Sequence, residues 1–132
     1  MNVVISFSGR RDGNCDQIAR YLSSDCDNII YFRDLRVHEC VNCEYQCFGG
    51  QCIYRDDDLY ALYSSLTDFD RIYLVVPIYC ANPPSIYFKF AERAQDYFSD
   101  NCSKYEEFIK KLYVIAVCGF VEDDKDFLRI FV

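Results

Sequence analysis

Three groups of residues in this chain have types and spacings that could do chemistry. The first is Ser8-Gly9-Arg10-Arg11-Asp12-Gly13-Asn14-Cys15. It offers free backbone N–H groups, two small side-chain donors (Ser8 and Asn14) and two guanidinium groups ahead of a helical stretch. A loop of that kind binds anions, because the first N–H groups of a helix lack internal partners and its dipole favours negative charge. The Gly-Lys-Ser/Thr ending of a triphosphate loop is absent, as is the Gly-x-Gly-x-x-Gly of a dinucleotide loop. A monophosphate fits best, set against a plain solvated turn. The second group is Cys40, Cys43, Cys47 and Cys52, spaced x2, x3 and x4. Zinc favours two Cys-x2-Cys pairs separated by a longer spacer, so these thiols are either ligands of another kind or free and redox-active. The third is Val76-Pro77-Ile78-Tyr79-Cys80-Ala81-Asn82-Pro83-Pro84-Ser85. Its prolines fix φ and remove donors, and Tyr79 offers a flat face to a planar heterocycle.

The elements that must position these groups are legible from hydrophobic patterning. Val3-Val4-Ile5 reads as a buried strand, followed by a helix from about Asn14 to Ser24. Asn28 to Phe32 reads as a second strand. Asp56-Asp57-Asp58 opens a helix carrying Leu59, Leu62, Tyr63 and Leu66 at helical spacing, and carboxylates suit its positive end. Arg71 to Val76 is a third strand, ending at Pro77. A helix over Ser85–Phe98 and a strand over Leu112–Val117 follow. Strands alternating with helices imply a parallel sheet covered on both faces. Ligands of such sheets bind at the carboxyl ends of the strands, at the switch point of strand order. That rule selects the loops after Phe7, Val76 and Val117.

Composition bounds the function. A chain of 132 residues, 52% apolar, reads as one domain over residues 1–132 with enough material for a core. A formal charge of −7 argues against nucleic acid or an anionic membrane as partner. No basic leader precedes the first strand, no run approaches a membrane span, and nine cysteines are an odd number. The expectation is a cytoplasmic protein with reduced thiols. His38, the one histidine, receives no role.

The first and third loops together, with Lys89 and Arg93 on the helix that follows, resemble the NADPH-dependent FMN reductase family of flavodoxin-like proteins. The family's Gly-Ser-Pro-Arg-x-x-Gly-Asn-Thr is matched by Phe7-Ser8-Gly9-Arg10-Arg11-Asp12-Gly13-Asn14-Cys15. Its Ser-Pro-x-Tyr is matched by Val76-Pro77-Ile78-Tyr79, and its later Lys and Asp-Arg by Lys89 and Glu92-Arg93. The resemblance runs from Met1 to about Gly119. It implies a flavodoxin-like three-layer α/β fold with strand order 2-1-3-4, the usual fifth strand missing or short. It also implies an FMN site. Ser8, Arg10, Gly13, Asn14 and Cys15 would hold the phosphate, and Pro77, Ile78, Tyr79, Asn82 and Gly119 would border the ring.

NAD(P)H would be the electron donor and a quinone, free flavin or similar small molecule the acceptor. A homodimer or homotetramer is expected by the same analogy. Relatives that bind a four-iron, four-sulfur cluster through a compact cysteine set make Cys40, Cys43, Cys47 and Cys52 candidate cluster ligands, with free thiols the alternative. Three substitutions depart from the first of the family's patterns: Phe7 and Gly9 replace Gly and Pro, and Cys15 replaces a Thr whose hydroxyl would bond phosphate. Two other readings stay open: a flavin-binding electron carrier that does not oxidise NAD(P)H, and an interaction protein that has lost flavin.

Overall fold

The computed structural model describes residues 1–23, 28–50 and 52–119. Four strands, β1 (Asn2–Ser6), β2 (Asn28–Tyr31), β3 (Arg71–Pro77) and β4 (Leu112–Val117), form one parallel sheet in the order β2-β1-β3-β4. Val4 stands opposite both Ile29 and Tyr73, and Leu74 opposite Val114. β1 and β3 occupy the middle, which is why their apolar runs are continuous: both faces are covered. The strand order and topology expected from the sequence are therefore present. The question of a fifth strand falls on residues 120–132, outside the described residues.

Side-chain alternation divides the sheet into two faces. Val3, Ile5, Phe7, Ile72, Leu74 and Val76 point into the larger core, closed by α2 (Asp58–Leu66), α3 (Ser85–Phe98) and α4 (Cys102–Lys110). Tyr63 lies at its centre, fully buried, with its ring stacked on Phe90 and Tyr97 and its hydroxyl donating to the Phe90 carbonyl. Val4 and Val75 face the opposite way, onto Cys15 and Ala19 of α1 (Asn14–Leu22). α4 has no counterpart in the sequence reading. Asn101 caps it by accepting from the Lys104 amide, and of its nine residues only Phe108 is buried.

Between β2 and α2 the chain makes only two short 3-10 turns, yet it is held firmly by one residue of α3. Arg93 is 2% exposed. Its guanidinium donates to Asp57 Oδ2 at 2.8 Å, to the His38 carbonyl at 3.1 Å and to the Tyr54 carbonyl at 3.3 Å. Asp57 also caps α2, accepting from the Leu59 amide, and accepts from the His38 amide as well. The Asp56–Asp58 run is thus a helix start, as its charge suggested, with the middle aspartate also neutralising a buried cation. His38 stacks on Tyr54 with ring centroids 4.2 Å apart.

Past β3 the chain turns tightly. The Asn82 amide donates to the Tyr79 carbonyl and the Tyr79 amide to the Asn82 carbonyl. The two residues between, Cys80 and Ala81, have φ of 48° and 60°. Two successive left-handed residues make a type I′ turn, which favours Asn and Gly; side chains with a Cβ cost about 1–2 kcal/mol each there.

These features give three expectations. Arg93→Met leaves the Asp57 carboxylate buried without its cation, and should lower unfolding free energy by about 3–5 kcal/mol in denaturant titrations. Burial pushes the Asp57 carboxyl up, but hydrogen bonds from Arg93 and from the His38 and Leu59 amides outweigh it and hold it below the usual range. A depressed carboxyl stabilises the fold above its unfolded value, about 3.9, and that contribution disappears as pH falls through the folded value. The denaturation midpoint of the wild type should therefore decline below about pH 4, and Asp57→Asn should flatten that decline. Conversely, Ala81→Gly should raise stability by about 1 kcal/mol, since glycine adopts the turn without strain. A lower melting temperature for that variant would refute the strain.

Candidate functional site

The three loops selected by topology do come together. The Phe7 amide donates to the Val75 carbonyl at 2.9 Å and the Ile78 amide to the Val117 carbonyl at 2.9 Å, so the chain leaving β1, β3 and β4 lies side by side at the carboxyl edge of the sheet.

At the first loop, α1 begins at Asn14 behind an extended Gly13, and no side chain caps it. A Cβ added at Gly13 would lie 3.4 Å from Arg10 Nε, so Arg10 lies close over the helix start. Arg11 is committed elsewhere, to Asp34 at 2.6 Å. The exposed Asn14 stands at the first turn. The Ser8 hydroxyl is spent within the loop: it donates to the Arg10 carbonyl and accepts from the Arg10 amide. Ser8 therefore shapes the loop. Cys15 points away from it, 4% exposed among Val4, Ala19 and Val75. Burial, then the neighbouring Asp16 carboxylate, push its thiol pKa up. What Cys15 can offer at the loop is its backbone.

Two residues that sequence reasoning missed hold this loop. Asp16, 1% exposed, accepts from the Ser6 hydroxyl at 3.0 Å, from the Asp12 amide at 2.9 Å, and from both terminal nitrogens of Arg33 at 2.9 and 2.7 Å. Arg33 also donates to the Ser8 carbonyl at 3.0 Å, and its guanidinium lies 4.6 Å from the centroid of the Tyr31 ring. Burial raises the Asp16 carboxyl, and the bonds from Arg33 and Ser6 bring it below its ordinary value. The clamp also fixes Asp12 with φ of 55°. A signal was available, since Asp16 is an ionisable residue on the inner face of α1, beside Cys15 and Ala19. A buried carboxylate demands a cation, but not even the covered face of the sheet tells that the cation comes from the end of β2.

At the third loop, Pro77 is buried and Ile78 half-buried against the main core, while Tyr79 is 56% exposed and Asn82 is exposed at the base of the turn. The Asn82 side chain donates to the Cys80 carbonyl at 2.9 Å. Gly119, past the end of β4, has nothing within 4 Å of where a Cβ would project. Among the described residues this edge is open, with an aromatic ring on one side and a bare backbone on the other. Lys89 pairs with Glu39 at 3.2 Å and Arg93 is buried, so these two α3 residues tie down the segment after β2.

The four cysteines of that segment do converge. Cys40, Cys43, Cys47 and Cys52 all line one cavity of about 20 Å³ with Tyr54, Arg93 and Asp96. Cys40 is exposed, Cys43 and Cys52 are half-buried and Cys47 is buried. Burial, followed by Glu92 and the neighbouring Cys43 and Cys47, pushes the Cys40 thiol up. Among the described residues, no three His, Cys, Asp or Glu side chains are placed to hold a metal ion. A larger hollow lies between α3 and α4, lined by Phe98, Cys102 and Tyr105.

No family model matches the chain, and no curated protein matches it. Solved structures do. The Trp repressor binding protein from Bacillus subtilis superposes with a TM-score of 0.60 at 19% identity, over 99% of this chain and 80% of that one. The apo form of an NADH:FMN oxidoreductase superposes with a TM-score of 0.52 at 14% identity, over 98% of this chain and 83% of that one. At such identities the likeness is one of fold. With its parallel sheet in the order 2-1-3-4, covered on both faces by helices, the chain has the flavodoxin-like α/β fold.

Proposed function

We propose that this chain binds FMN at the carboxyl edge of its sheet and passes electrons from NAD(P)H to a small acceptor such as a quinone or free flavin. The observation that carries the reading is the pairing of an uncapped helix start under Arg10 with an open, aromatic-flanked edge between the loops after β3 and β4. The similar fold of an NADH:FMN oxidoreductase supports it.

The residues present fit a monophosphate. Backbone N–H groups of Asn14 and Cys15, the helix dipole and the Arg10 guanidinium would hold it, and the Asn14 amide would add a donor. Arg33 matters here by charge. A buried carboxylate in the first turn of α1 would repel an anion, and the bidentate bond from Arg33 neutralises it. Pro77 and Ile78 fix the backbone beside the ring, Tyr79 and Asn82 border it, and Gly119 lets a planar group approach the end of β4. Bound FMN would supply hydride acceptance and one- or two-electron transfer. The protein supplies placement and hydrogen bonds, with no side-chain acid or base asked to react. Self-association into a dimer or tetramer belongs to this reading, and exposed Tyr113 and Val114 on β4, the outer strand of the sheet among the described residues, support it.

The test compares FMN with riboflavin, which lacks the phosphate, by flavin fluorescence. FMN should bind at least tenfold more tightly, about 1.4 kcal/mol. Arg10→Ala and Arg33→Met should erase most of that margin while leaving riboflavin binding unchanged, and Asp16→Asn in the Arg33→Met background should restore part of it. Addition of NADPH or NADH without oxygen should then bleach the bound flavin. Equal affinity for the two flavins, or none for either, would defeat the proposal. Tight FMN binding that neither nucleotide bleaches would leave an electron carrier.

A further inference from the structure

The cysteine cavity needs an account of its own. A space of about 20 Å³ has room for about one water-sized atom, against the eight atoms of a four-iron, four-sulfur cluster. No three of its side chains are placed to hold a single metal ion either. The four thiols as they stand fit neither group, yet four sulfur-bearing residues share one small cavity.

We propose that the cavity is a dithiol–disulfide site, with Cys40 the entering thiol and Cys47 the resolving one. Cys40 is exposed and reachable by a small disulfide; Cys47 is 8% exposed and is reached only from within the cavity. Burial and the path of the chain favour the pairing. From Cys40 to Asn42 the chain makes no turn or bend. Three residues of chain span at most about 10 Å, so reach does not separate Cys43 from Cys47 as partners of Cys40. Burial does, since Cys47 is the one buried thiol of the four and Cys43 is half-buried. Glu44 and Tyr45, with φ of 55° and 56°, then reverse the chain and carry Cys47 back to the cavity that Cys40 lines. Cys52 is engaged separately, its sulfur accepting from the Tyr54 amide at 3.4 Å.

The reaction is exchange with a low-molecular-weight disulfide, RSSR. The Cys40 sulfur attacks one sulfur of RSSR, giving a mixed disulfide and releasing RSH. The Cys47 sulfur then attacks Cys40 Sγ, forming the intramolecular bond and releasing the second RSH. The two thiol hydrogens of the protein leave on the two RSH molecules, so the protein is oxidised by two electrons and RSSR is reduced by two. The proposal does not depend on flavin binding.

The experiment uses the full chain, reduced, desalted, treated with oxidised glutathione and trapped with a maleimide. Trypsin cleavage after Arg36 and Arg55 releases residues 37–55, which carry these four cysteines and no other. The expected product is that peptide lighter by a pair of hydrogens, with Cys43 and Cys52 alkylated. Cys47→Ser should stop at a glutathione adduct on Cys40, and Cys43→Ser should still close; circular dichroism checks that both variants fold. Glutathione adducts on this peptide without hydrogen loss, at doses that modify the exposed Cys80, Cys102 and Cys118 equally, would overturn the proposal. So would closure in Cys47→Ser, or stoichiometric iron with acid-labile sulfide in the protein as purified.

Discussion

A guanidinium buried almost completely is an expensive group, and Arg93 determines how the long connection between β2 and α2 is arranged. It cannot stay charged in the apolar layer between α2 and α3 without several acceptors. It finds them in the Asp57 carboxylate and in the carbonyls of His38 and Tyr54. Those three residues stand at the start and end of the cysteine segment. One side chain of α3 therefore fixes both ends of a connection that has little regular structure of its own, and lines the same cavity as its four thiols. Removing the cation would strand Asp57, which also caps α2, so failure there would spread to the helix that covers the core.

The same solution recurs at the first loop. Asp16 and Arg33 are the second buried acid–base pair, and they stand where the chain leaves β1 and β2. Each pair lets a polar connection lie against an apolar sheet without unsatisfied charge. Among the described residues, Arg33 Nε and Arg93 Nε have no hydrogen-bond partner, and Asp96 Oδ2 has none either but lies 3.7 Å from a terminal nitrogen of Arg93. Buried charge brings little net stability when exchanged for a well-packed apolar group. Here its effect is geometric: it selects one path for loops that packing alone would leave undetermined.

The candidate flavin edge combines rigidity with strain. Prolines and the tight turn at Cys80-Ala81 set the backbone after β3, and the turn uses residues that do not favour its conformation. The first loop is rigid for another reason, because its serine hydroxyl and its Asp12 amide are both occupied by the loop and its clamp. What is left facing outward is backbone with Arg10 and Asn14, which suits an anion recognised by dipoles and charge more than by side-chain hydroxyls.

Much of this was determined by sequence alone. Continuous apolar runs at Val3–Ile5 and Arg71–Val76 read as strands buried on both faces, and are so in the middle of the sheet. The equally apolar Leu112–Val117, expected to be buried likewise, forms a strand with Tyr113 and Val114 exposed, because it has a described neighbour on one side alone. α3 was bounded by Pro84 before it and by Ser99 after it. The strand order and the three loops at the switch point followed from general rules of parallel sheets and from the family resemblance. α4 escaped the reading although Tyr105, Phe108 and Ile109 recur at helical spacing; of its nine residues only Phe108 is buried. Only the tertiary structure decided which arginine served which purpose. Arg10, Arg11, Arg33 and Arg93 look alike in sequence, but one lies over a helix start, one pairs at the surface and two neutralise buried aspartates. It likewise decided that Cys15 turns into the core, while Cys40, Cys43, Cys47 and Cys52 line one cavity. The physical reason is that a charge or a thiol takes its meaning from partners distant in sequence, such as residue 16 with 33 and 57 with 93, and local patterning carries no record of those distances.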